Sequence, residues 1–213
     1  AGAMVLAVCA HLATVFFAGS FKAPRELTWL LGIGLLLTTL GLGFTGYLLP
    51  WDQKAYWATT VSANIPRDVP VVGELFTRLL LAGDSVSGLT LTRFYAIHML
   101  VLPAVMGLLI VGHIYLVRLH GVAEPGRVKT GAAAARPVHF FPEHALRSAI
   151  VFAGVLAVLG VLSLAARIPQ EAVAGSVDES YLPRPEWYFM WLFQVLTFFS
   201  GPAEVVGSLV LPA

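Results

Sequence analysis

The chain has 213 residues, 58% of them apolar and only 12% charged, and a formal net charge of +1. Soluble domains average about 45–50% apolar and about 25% charged, so this composition is that of an integral membrane protein. The small net charge says nothing useful about nucleic acid, there is no basic run, and no nucleic-acid partner is expected; the single cysteine, Cys9, excludes an internal disulfide.

In chain order, the first apolar segment is 1–18, the end of a helix that is already under way at Ala1. "GSFKAPRELT" (19–28) is a polar turn, because Gly19 and Pro24 break the helix and Lys22, Arg25 and Glu26 prefer water. The second helix is 28–49, stopped by Pro50. Residues 51–90 are mixed, with short amphipathic pieces such as "GELFTRLLLAG". The third helix is about 91–118, and 119–143 is a polar linker. The fourth helix is about 145–166, and 170–184 is a polar loop. "PEWYFMWLFQVLTFF" (185–199) is too short to span, since a crossing takes roughly 20 residues. The chain then stops inside another apolar run, "EVVGSLVLPA", so a part of a larger membrane protein is expected.

Alternation of spans assigns the sides. Loop 19–28 and linker 119–143 lie on one side (n), and 51–90 and 168–204 on the other (p). Lys and Arg number seven on n and six on p, a weak bias that puts n in the cytoplasm.

Ionisable residues inside spans point to function. His98 and His113 share the third helix, 15 residues apart. At 100° and 1.5 Å per residue they lie about 60° apart around the axis and about 22 Å apart along it. One therefore sits near each edge of a hydrocarbon core about 30 Å thick. His11 lies eight residues before Gly19, and His113 eight before Gly121, both in helices running from p to n. They share a depth, and two facing imidazoles make a six-coordinate haem site. His98 has no visible partner; one would fall before Ala1. Core histidines bonded to backbone are the alternative for each, but the matched depths of all three favour haem. His120, His139 and His144 read as solvated.

The second helix carries Gly32 and Gly46, 14 apart, matching two stacked cofactors that need missing side chains at two depths. Close helix packing accounts for such glycines equally simply. Arg93, five residues before His98, reads either as a propionate partner or as an interfacial anchor.

"TWLLGIGLLLTTLGLGFTGYLLPWDQ" (28–53), "TLTRFYAIHMLVLPAVMGLLIVGHIYLVRLHG" (90–121) and "PRPEWYF" (183–189) together resemble cytochrome b, the two-haem membrane subunit of the cytochrome bc complexes and their chloroplast-type relatives. The resemblance runs from the family's second spanning helix to the start of its sixth. It implies an all-α integral membrane bundle, with 1–118 in the di-haem region, 119–143 an n-side linker and 144–213 the C-terminal region. It implies that His11 and His113 ligate the n-side, higher-potential haem b and His98 the p-side, lower-potential one. Gly32 and Gly46 would make room for the haems. Glu186 would be the carboxylate of a p-side quinol-oxidation site, with Tyr188 its neighbour. A carboxylate in apolar surroundings can accept a quinol hydroxyl proton. By the family mechanism one electron goes to a Rieske iron–sulfur partner and the other across the membrane through the two haems.

The 15-residue histidine step and "PWDQ" look chloroplast-type, whereas the unbroken run through "HFFPEHALRSA" into "PEWY" does not, which suggests a bacterial, fused form. The expected setting is a homodimeric complex with a Rieske protein and a c-type cytochrome, in a bacterial inner membrane. A two-haem anchor of a membrane dehydrogenase would lack PEWY, and a transporter or channel would be colourless.

Overall fold

The computed structural model describes residues 2–68, 71–122, 139–166, 171–174 and 186–198. The n-side cations Arg127, Lys129 and Arg136, Pro185 of the PEWY motif and the last apolar run lie outside these. The chain forms two compact units, 1–126 with 171–213, and 127–170. Among the described residues the regular elements are helical, and three helices are long and apolar enough to cross a membrane.

In the first unit α1 spans Gly2–Phe17. It stops because Gly19 takes a φ of 64°, open to glycine at no steric cost. Ser20 N–H then bonds Val15 O at 2.9 Å and Gly19 N–H bonds Phe16 O at 2.9 Å, which satisfies the last carbonyls. α2 spans Glu26–Tyr47, 22 residues, about 33 Å at 1.5 Å per residue. Its hydroxyls stay inside the helix: Thr38, Thr39 and Thr45 donate to Gly34, Leu35 and Gly41 carbonyls at 2.7–2.8 Å.

The interval 51–90 is more ordered than its mixed composition suggests. α3 (Gln53–Asn64) starts where Asp52 accepts the Ala55 N–H at 2.8 Å. A 3-10 turn, Ile65–Asp68, leads on, and α4 is Gly73–Leu81. Thr77 donates to Ala63 O at 3.1 Å and Thr90 to Leu81 O at 2.5 Å, both fully buried. Leu48, Ala55, Ala63, Leu81, Val86 and Phe94 form the core under these pieces. The p-side interval is thus a packed cap on the ends of two spans.

α5 (Gly88–Ala96), a π turn (Ile97–Val101) and α6 (Leu102–His120) make one 33-residue rod. The rod begins at Gly88, a little before the expected 91. The π turn has a local cause: Pro103 offers no N–H to Met99 O, and Leu102 N–H reaches back to Ile97 O instead. His98 sits inside that turn. α6 packs along α2 with Gly34 against Leu109 and Gly41 against Leu102, close approaches that absent side chains permit.

Residues 171–174 return to this unit. Gln53 N–H bonds Ala172 O at 2.9 Å and Ala174 N–H bonds Trp51 O at 3.0 Å, an antiparallel bridge between Asp52 and Val173. α8 (Trp187–Leu196) follows Glu186. The second unit contains a π turn, Phe140–His144, and α7, Ala145–Ala165, which is predominantly apolar beyond its first turn. Glu143 and Arg147 pair at 2.5 Å across its first turn.

Candidate functional site

Three groups of residues lie along α2 and the α5–α6 rod. On the n side, α1, α2 and α6 enclose a cavity of about 400 Å³, lined mostly by apolar side chains. His11 and His113 both line it, together with Gly32, Arg25 and Thr28. His113 Nδ1 lies 3.1 Å from the Thr28 backbone oxygen. A carbonyl only accepts, so Nδ1 carries the proton and Nε2 keeps a free lone pair. Gly32 lies under the ring: a Cβ there would stand 3.4 Å from His113 Cε1. The Thr28 hydroxyl is buried without a hydrogen-bond partner. Arg25 Nε donates to Gly121 O at 3.1 Å and ties the start of α2 to the end of α6.

His98 occupies the other depth. Its Nδ1 is 3.1 Å from Thr45 Oγ1, and that hydroxyl already donates to Gly41 O at 2.8 Å. With its one proton so committed, Thr45 accepts from His98 Nδ1–H, and Nε2 is again the free nitrogen. Gly46 touches the ring, since a Cβ there would fall 2.6 Å from His98 Cε1. Arg93, exposed, donates to the Leu79 carbonyl in the last turn of α4.

The third group is at the p-side surface. Lys54 Nζ pairs with Glu186 Oε1 at 3.1 Å, each side chain 36% exposed. Lys54 also stands 5.7 Å from the Tyr47 ring centroid. Tyr188 is buried, with its hydroxyl against Gly43. Burial, then the Glu186 carboxylate, push the Tyr188 phenol above its ordinary value. Burial opposes the Lys54 charge, but Glu186 and Tyr47 outweigh it and hold the ammonium above its usual range.

The structure therefore brings His11 to His113, sets Gly32 and Gly46 against the two helix-borne imidazoles, and places Tyr188 beside Glu186. Lys54, Thr45, Thr28 and Arg25 did not stand out in the sequence. Thr45 is visible only once helix register sets it opposite His98, and nothing in the sequence links Lys54 to a carboxylate 132 residues away.

The family described as "Cytochrome b(N-terminal)/b6/petB" matches residues 2–174. The chain belongs to the cytochrome b family. Cytochrome b6 of Synechococcus sp. (strain RCC307) is 43% identical over 125 residues, 59% of this chain and 57% of that protein. Cytochrome b6 of Prochlorococcus marinus (strain MIT 9303) is 42% identical over the same shares. A solved chain titled "Hyperthermophilic respiratory Complex III" superposes with a TM-score of 0.76 at 26% identity, over 95% of this chain and 55% of that one. This cytochrome b thus spans somewhat over half the length of these relatives. It is a cytochrome b of the bc-complex kind, a multi-pass membrane protein, and the family implies haem b.

Proposed function

We propose that this cytochrome b is the quinol-oxidising, di-haem subunit of a bc-type complex. The observation that carries the reading is that His11 and His113 line one apolar cavity, with the His113 ring fixed by Nδ1 so that Nε2 is free. A flat apolar macrocycle with two axial nitrogens suits that donor set. Gly32 makes room for the His113 ring at the cavity wall, and Arg25 provides a cation for a propionate. His98, with Gly46 beside it and Arg93 further along the rod, supplies one ligand of a second, p-side site. When bound, the two haems b would offer an electron path between the two depths.

The p-side residues handle the proton. Glu186 accepts a quinol hydroxyl proton from the membrane side and passes it to p-side water, for which its partial exposure suits it. Tyr188 walls this carboxylate on the membrane side. The setting is a bacterial inner membrane, with a Rieske iron–sulfur protein and a c-type cytochrome as electron acceptors and a homodimeric complex.

Substitution of the histidines tests the two levels. His113→Ala is expected to abolish the n-side haem signal and leave the p-side one, and His98→Ala the reverse. Reduced-minus-oxidised spectra with redox titration read this. If both variants lost the same signal, or if the wild-type protein were colourless, the reading would fail.

A further inference from the structure

Lys54 has no part in the reading above, yet it is the group that Glu186 contacts. The backbone bridge between Asp52 and Val173 and the Gln53–Ala172 bond tie residues 172–174 to the start of α3. Asp52 caps the same turn of α3 by accepting the Ala55 N–H, so Lys54 projects from a fixed base. Among the described residues, the titratable groups around the pair are Tyr47 from α2, Asp52 at the head of α3 and Tyr188 from α8. The Tyr47 hydroxyl is buried. Both members of the pair keep about a third of their side-chain surface open, so the contact lies between an apolar wall and p-side water.

We propose that Lys54 is a positioning residue for Glu186, holding the deprotonated carboxylate on the α3 side and letting it go when it is protonated. This deepens the proposed function and rests on Glu186 being the proton acceptor. The step is an acid–base transfer. A quinol O–H bond breaks, an O–H bond forms on the Glu186 carboxylate, and the electrons take no part in it. Neutral Glu186 loses its attraction to the ammonium and is free to turn. Loss of the proton to water restores the carboxylate, and Lys54 draws it back. The pair thereby gives the carboxylate two positions, selected by its own charge.

The test uses the intact complex with four variants: Lys54→Met, Lys54→Arg, Glu186→Gln and Lys54→Met combined with Glu186→Gln. Methionine keeps much of the stem and loses the charge. Turnover with a short-chain quinol is measured across pH, with haem spectra as the check on assembly. Lys54→Met is expected to lower kcat severalfold with little change in KM. The acid side of the pH profile changes with it, because Lys54 is the cation that faces Glu186. Lys54→Arg preserves both, and the methionine change adds nothing once Glu186 is glutamine. Wild-type kcat and pH profile in Lys54→Met, or an undiminished Lys54→Met effect in the glutamine background, would overturn the proposal. Wild-type turnover in Glu186→Gln at every pH would instead remove the carboxylate reading, and the role of Lys54 with it.

Discussion

At the scale of single residues, hydrogen-bond arithmetic fixes the imidazoles. A hydroxyl has one proton, and Thr45 gives it to Gly41, so the His98 ring donates to Thr45. A ligand whose far nitrogen donates is a more basic ligand and favours the oxidised metal. On the proposed reading, Thr45→Val leaves His98 Nδ1–H without this acceptor. It is expected to raise the midpoint potential of the p-side haem while the n-side potential stays in place; Thr45→Ser keeps both. A redox titration of each variant reads the shift, and an unmoved p-side potential in Thr45→Val refutes the assignment. The histidines and glycines were legible because a helix converts sequence spacing into depth and angle with little freedom. Thr45 was not, because its significance depends on which neighbour it faces.

At the scale of elements, the long spans were legible from apolar length alone, and their ends from Gly19, Pro50 and Gly121. The p-side interval was not. α3 and α4 are held by contacts that composition does not display: the Asp52 cap, buried Thr77 and Thr90 bonded to carbonyls, and Phe94 filling the space between. Their threonines read as polar loop residues until their partners are known. The rod likewise begins early, since Ser87 and Thr90 form a reciprocal cap ahead of Gly88. The cap at Asp52 is open to trial. Asp52→Ala frees the Ala55 N–H and is expected to cost about 1 kcal/mol, seen as a lower thermal midpoint. Asp52→Asn, which still offers an acceptor, should recover most of it; equal midpoints for alanine and wild type would deny the cap its role.

At the scale of the whole molecule, α2 sets the two faces apart: the turn after α1 lies at one end and the α3–α4 cap at the other. Lys22 and Ser85 are both exposed on these opposite ends. Cys9, the one cysteine of this sequence, lies in the apolar α1, away from the water that carries an impermeant reagent. Lys22→Cys and Ser85→Cys are therefore expected to react with an impermeant maleimide from opposite sides of sealed vesicles. Reaction from the same side would contradict the threading. The two histidine anchors also differ in kind. The main-chain oxygen that holds His113 is the same atom whatever residue is encoded at position 28, whereas the oxygen that holds His98 exists only while position 45 encodes a hydroxyl. On the proposed reading, inherited variation can therefore retune one end of the electron path by a single codon and cannot reach the corresponding contact at the other.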